Sequence, residues 1–375
     1  MSGTFARRMA DGLLLLLHVL APRELQRWVE AIGAEAAQLP NDTAALRFVA
    51  ASVPGLLTVF AQTALVGARR DAPGSPRVLA ALAATGAVGL GAVHMVAAGA
   101  PAAMLLVNAM ALALGLLVCV PTSPRAVPIR DATGIAMIAI AAALLATGLF
   151  GVAAHDAVRW VAIGPLTIQP SLILLPPLLM IFARTATATG SAAIAIAALA
   201  VALQPDRAMA GTMVAGLAAL WFLRRERPVS FALAASALGF LVTLARPDGL
   251  PAARYSDGIF ATAWQVHPVL GLAVWLGAAL LLLPCIRRGA GDAAGERSRA
   301  VFAATWLAII LAAVSGNHPA PLVGYGGSAI LGYLLAARLL PTERRRRQGG
   351  GTSRRPRAPG HDDTARTLPG SLSCA

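Results

Sequence analysis

Asp257 is the acidic side chain with the most to explain. It stands in "YSDGIFATAW" (255–264), at the head of a long apolar run. A carboxylate next to hydrocarbon is costly, so its position needs a role. Two are open. It can act as a general base, taking a proton from a nearby hydroxyl. It can also be a cap, because Ser256 or Asp257 opens a helix from Gly258 and an acid there suits the helix dipole. Asp206, directly after Pro205, offers the same pair of roles, as a functional acid or as the cap of a helix from Arg207. Arg159 and Trp160 combine a guanidinium, which grips a phosphate, with an indole on which a sugar can stack. An interfacial anchor beside a solvated Arg has the same composition. Gln169 and Ser171 stand at the mouth of a helix broken by Pro176 and Pro177, placed to donate to a substrate or to satisfy freed backbone groups. In "GYGGSAILGY", Tyr325 and Ser328 are candidates to face a cavity, while Gly324, Gly326, Gly327 and Gly332 read as points of close helix approach. His267 and His318 have no second ligand at metal spacing, and His94 reads as a helix–helix hydrogen bonder. Cys119, Cys285 and Cys374 form no disulfide framework or metal motif. No cofactor is assigned, and a divalent cation stays open.

The elements that must position these residues are membrane helices. Of 375 residues, 57% are hydrophobic and 13% charged, against about 25% charged in soluble domains. Apolar runs recur at 44–67, 78–98, 102–120, 133–154, 171–183, 186–203, 208–223, 229–245, 258–286, 300–315 and 320–340. The expectation is an all-α polytopic bundle of about 10–12 spans. The "MADGLLLLLHVLAP" segment is a short further candidate, and 23–43 reads as an amphipathic surface helix. Three regions follow: an N-terminal segment (1–43), a transmembrane bundle (44–340) and a basic disordered tail (341–375). The net charge of +14 does not point to nucleic acid, because the arginines sit in short loops and in the tail. Alternate loops hold 13 and 4 arginines, and the tail falls with the richer set. By the positive-inside rule the richer set and the C-terminus are cytoplasmic. Asp206, Asp257 and the Arg159-Trp160 loop then face outward, and by parity so does residue 43.

Four outward segments together resemble one family. "VRWVAIGPLTIQPS" (158–171) is similar to the Arg-Trp, Gly-Pro and Gln-Pro-Ser-Glu loop of the SEDS proteins (shape, elongation, division and sporulation: FtsW, RodA and SpoVE). "LQPDRAMAG" (203–211) resembles their Gln-Pro-Asp-Leu-Gly. "YSDGIFA" (255–261) resembles their His-Thr-Asp-Phe-Ile-Phe-Ala, and "HPAPLVGYGGSAIL" (318–331) the Ser-Tyr-Gly-Gly-Ser-Ser region of their last helix. The resemblance covers about 155–340. It implies a SEDS-like fold in the bacterial cytoplasmic membrane. It also implies a peptidoglycan glycosyltransferase that polymerises lipid II at the outer face, in cell division or cell-shape control, beside a class B penicillin-binding protein. Asp257 takes the place of the family's essential carboxylate. Arg159, Trp160, Gln169, Ser171, Gln204, Asp206, Tyr325 and Ser328 become candidates for binding substrate. The chain departs from the pattern at Gly258, at Leu172 (a Glu in the family), at "WQVHPVLG" (two acids in the family) and in the short loop before Asp257. An inactive relative that scaffolds a transpeptidase, and a transporter of lipid-linked precursor, are the alternatives.

Overall fold

A computed structural model describes residues 7, 14, 23–45, 47–49, 51–52, 75–119, 130–154, 157–164, 166–246, 251–286, 293–316 and 318–341. The tail, most of 44–67 and all of 9–21 except Leu14 lie outside the described residues. In chain order the helices are α1 (Arg23–Gln38), α2 (Pro76–Ala97), α3 (Ala102–Cys119), α4 (Arg130–Phe150), α5 (Pro170–Thr185), α6 (Ala188–Leu203), α7 (Arg207–Leu223), α8 (Arg227–Leu244), α9 (Ile259–Val266), α10 (Pro268–Leu280), α11 (Leu283–Ile286), α12 (Ala293–Val314) and α13 (Gly327–Arg338). Five of them, α2, α3, α4, α8 and α12, are long and apolar enough to cross a membrane, and α5, α6, α7 and α10 are shorter apolar helices. The result is a polytopic helix bundle.

Local sequence sets several helix starts. Ser75 caps α2 by accepting from Val78 N, with Pro76 at the first helical position. Thr187 caps α6 through Gly190 N, and Asp206 caps α7 through Met209 N. At the far end of α7, Arg224 Nε donates to Glu226 Oε1, and this hydrogen bond holds the Glu226 carboxyl below its usual range.

α13 is central and packs on α2, α3 and α5, while α4, α6, α8, α7 and α12 continue the bundle pairwise. Its fully buried Tyr333 meets Trp306 edge-on at 4.9 Å and Phe302 at 5.3 Å, and its hydroxyl donates to Leu281 O. Glycines let backbones touch. A Cβ on Gly332 would stand 1.9 Å from Leu172 O, and one on Gly91 would stand 2.3 Å from Val323 O. Leu172 O is the carbonyl that Pro176, four residues on and without an N–H, cannot bond. Gly332 seats α13 against that freed group.

The expected all-α polytopic bundle is present, with one small addition: β1 (Val152–Ala154), β2 (Ala157–Ile163) and β3 (Leu166–Ile168) form an antiparallel meander between α4 and α5. Four expectations need correction. The 258–286 span is three helices. His267 is extended (φ −168, ψ 138), as the residue before a proline prefers, and Pro268 starts a new helix. The 320–340 span is helical only from Gly327, because 318–326 spends its backbone groups on a neighbouring loop. α5 runs unbroken through Pro176 and Pro177. Finally, the amphipathic helix is present as α1, but its Val29 and Ala36 cluster near Leu117, close to the C-terminal end of α3. That is the end of the bundle opposite to Asp257, not beside it. An outward residue 43 requires one complete crossing at 44–67, of which residues 53–67 lie outside the described set.

Candidate functional site

The five arginine-poor loops gather at one end of the bundle. Tyr255 Oη donates to Gly99 O at 3.1 Å. Arg159 Nε donates to Gln204 O at 3.1 Å, and Arg246 donates to Ala202 O and Leu203 O. Gln169 N donates to Ser328 Oγ at 3.0 Å, and Ala320 N to Ser256 O at 2.8 Å. The loop alternation read from arginine placement is therefore the physical grouping of the loops.

One polar network lies inside this end. Asp206 is fully buried. Its Oδ1 accepts from Met209 N at 3.2 Å, the capping bond expected from sequence. Its Oδ2 accepts from Gln169 Nε2 at 3.0 Å and Ser171 Oγ at 3.1 Å. Arg159 also donates to Pro205 O. Gln204 Nε2 donates to Leu144 O at 2.7 Å. So Arg159, Gln169, Ser171, Gln204, Asp206 and Ser328 are brought together, each at most 9% exposed. At that burial they brace the ends of α5, α6, α7 and α13 against one another. Two guanidiniums, Arg159 and Arg246, satisfy the carbonyls that close α6, where the helix dipole is negative.

Arg159 and Trp160 do not share a face. They are neighbours on β2, where side chains alternate, and Arg159 is buried while Trp160 is half-buried opposite Val152. A joint grip by both on one phosphate-sugar unit is not available in this strand.

Asp257 belongs to a second arrangement, a clasp between 253–258 and 318–326. Asp257 pairs with Pro319 in an isolated antiparallel bridge, Ala320 N donates to Ser256 O, and Tyr325 N donates to Tyr255 O at 2.7 Å. Tyr255 and Leu322 hold left-handed backbone, φ 68 and φ 61. For non-glycine residues such backbone costs about 1–3 kcal/mol each and persists only where the surroundings impose it. The capping role for Asp257 is not realised. Gly258, at φ 65, precedes α9, and no side chain caps that helix. Instead Asp257 Oδ2 accepts from Ala253 N at 2.8 Å, four residues back. Its Oδ1 is buried with no hydrogen-bond partner. The carboxylate thus keeps one oxygen free to accept. Tyr325 is half-buried in the same clasp.

Sequence reasoning missed Asn108, on α3 and 4% exposed. Its Nδ2 donates to Gly324 O at 2.9 Å and its Oδ1 accepts from Gly326 N at 3.1 Å. One amide thereby holds both strands of the turn around Tyr325. The signal was available: Asn108 is the lone amide in "AAMLLVNAMALALGLLVC". His267 caps α10 through Nδ1, and His318 is buried beside the clasp. Among the described residues no group of three His, Cys, Asp or Glu is placed to hold a metal ion.

No family model matches the chain, and no curated relative matches it. Two solved structures are similar to it, both of the rod shape determining protein RodA of Thermus thermophilus. A point mutant of that protein matches with 20% identity and a TM-score of 0.48, covering 70% of this chain and 94% of that one. The unmutated protein matches with 19% identity and a TM-score of 0.45 over the same shares.

Proposed function

We propose that this protein is a divergent SEDS-type glycosyltransferase that polymerises lipid II at the outer face of the bacterial cytoplasmic membrane. Asp257 serves as the base. One observation carries the reading: the Asp257 carboxylate does no capping work, yet a strained, multiply bonded clasp holds it with one oxygen unpartnered. A group held at such cost is expected where geometry serves chemistry.

In this mechanism the cover over Asp257 Oδ1, a buried and unpartnered acceptor, shifts to admit the hydroxyl of an acceptor sugar. The carboxylate takes its proton as the oxygen attacks the anomeric carbon of the donor, and the lipid diphosphate leaves. Ala253 N–H stays on Oδ2 and keeps the carboxylate oriented. The buried Asp206 network holds α5, α7 and α13 in register beneath the clasp. A class B penicillin-binding protein is the expected partner, and no cofactor is assigned. The basic tail lies in the cytoplasm.

The scaffold alternative has its own observation. Leu172, where the family pattern has an acid, is 2% exposed and its carbonyl is sealed by Gly332, so this position offers no group to substrate. The deciding experiment is incubation of the purified protein in lipid with lipid II, with and without a class B penicillin-binding protein, and separation of the glycan products. Strands of several repeats support the enzyme. No elongation with any partner, from monodisperse protein, supports the scaffold.

A further inference from the structure

We infer that Arg254 is the anion-binding residue of the site, taking the phosphate groups of the polyprenyl-diphosphate donor. The inference rests on the proposed function and names the group that would hold that substrate's charge. It follows from what each arginine at the Asp257 end already does. Four are described there. Arg159 is buried and donates to Gln204 O and Pro205 O. Arg207 donates to Arg246 O at 2.9 Å. Arg246 donates to Ala202 O and Leu203 O. All three guanidiniums close carbonyl ends of the fold. Arg254 is exposed and makes no hydrogen bond or ion pair with a described residue. Among the described residues its guanidinium stacks on the face of Tyr255, with Cζ 4.9 Å from the ring centroid.

That contact is preorganised. Tyr255 is tied by Oη to Gly99 O, by its carbonyl to Tyr325 N and by the left-handed turn at φ 68. A guanidinium stacked on so fixed a ring keeps its fork of donors free for an incoming anion, and less motion is lost when one binds. Arg254 also lies one turn from the candidate base: Asp257 Oδ2 accepts from Ala253 N, so the chain folds back over 253–257. Yet Arg254 and Asp257 form no ion pair, so each is left for a different part of one substrate. A diphosphate near Arg254 would set its leaving oxygen within reach of a sugar carbon attacked beside Asp257. The lipid chain would follow the exposed apolar faces of Trp264 and Val269 on α9 and α10.

The test is binding, read separately from polymerisation. The full-length protein in nanodiscs is titrated with undecaprenyl diphosphate, undecaprenyl monophosphate and undecaprenol. Wild type, Arg254→Gln, Arg254→Lys and Arg224→Gln are compared, the last lying at the opposite end of the bundle. Loss of a charge-assisted contact should weaken diphosphate binding about tenfold to a hundredfold in Arg254→Gln. Arg254→Lys should fall between, because it keeps the charge and loses the stack and the fork. Arg224→Gln and all undecaprenol titrations should be unchanged, and diphosphate binding should weaken as salt rises. Arg254 is exposed and unbonded, so each variant should elute and melt like wild type. Equal diphosphate binding by Arg254→Gln and wild type overturns the inference and leaves the proposed function standing. Wild type that binds diphosphate no better than undecaprenol overturns both.

Discussion

Gly332→Ala tests the packing that holds the site end together. The added Cβ would lie 1.9 Å from Leu172 O, whereas ordinary contact begins at 3.4 Å, so α13 must withdraw from α5 by about 3.4 − 1.9 = 1.5 Å or tilt. The obstructing atom is backbone, in the first turn of α5, and cannot rotate away as a side chain could. Overpacking of this kind costs about 1–3 kcal/mol, and here the upper end applies. Helix propensity favours Ala over Gly by about 1 kcal/mol and offsets part of it. The net expectation is a destabilisation of about 2 kcal/mol. A withdrawal of that size also breaks the 3.0 Å bond from Gln169 N to Ser328 Oγ near the start of α13. Thermal unfolding of the detergent-solubilised protein reads the effect. The control is Gly89→Ala on α2, where nothing lies within 4 Å of the new Cβ, and it should be neutral or mildly stabilising. If Gly332→Ala is as stable as Gly89→Ala, the close seat of α13 on the proline-freed carbonyl is wrong.

Asn108→Leu leaves buried Gly324 O without its partner, at about 1–3 kcal/mol, takes a smaller contribution from part-buried Gly326 N, and should lower both melting temperature and polymerising activity; unchanged values would remove Asn108 from the clasp. Asp206→Ala strips the α7 cap and removes the shared acceptor of Gln169 and Ser171, leaving them only the bond from Gln169 Nε2 to Ser171 Oγ, and should cost about 2–4 kcal/mol by chemical or thermal unfolding, whereas Asp206→Asn, whose amide Gln169 can meet by turning its own, should cost under about 1.5 kcal/mol. In a background free of Cys119, Cys285 and Cys374, a cysteine at Ala252 should label from outside intact cells and one at Ser353 only after permeabilisation; the reverse pattern overturns the orientation.

The helices were legible because hydrophobic runs of span length leave few other choices, and Asp206 marked the start of α7; Ser75 and Thr187, which cap α2 and α6, carry the same signal and were not read. The meander was not read, although "AVRWVAI" alternates and a Gly-Pro pair, a turn signal in sequence, precedes "LTI". In so apolar a chain a short stretch between two spans reads as a connecting loop. The break at Pro268 was visible in sequence but hidden inside one continuous hydrophobic run. Of the nine candidate site residues, six converge, because short loops at one end of a bundle can satisfy buried polar groups only with each other. What the sequence could not show is which of them is exposed. Arg159 and Arg254 both lie in the arginine-poor loops, and only the fold reveals that Arg159 is spent on carbonyls while Arg254 makes no hydrogen bond with a described residue. Asn108 escaped because its partners lie more than 200 residues away.

The most direct test of the central claim is the polymerisation rate of Asp257→Asn against wild type, with the melting temperature of both. Asn keeps an oxygen to accept from Ala253 N, so the clasp survives, while the proton acceptor is lost. The account predicts normal abundance, an unchanged melting temperature and a rate on lipid II lower by about 10²- to 10⁴-fold. Wild-type glycan synthesis by Asp257→Asn would contradict it.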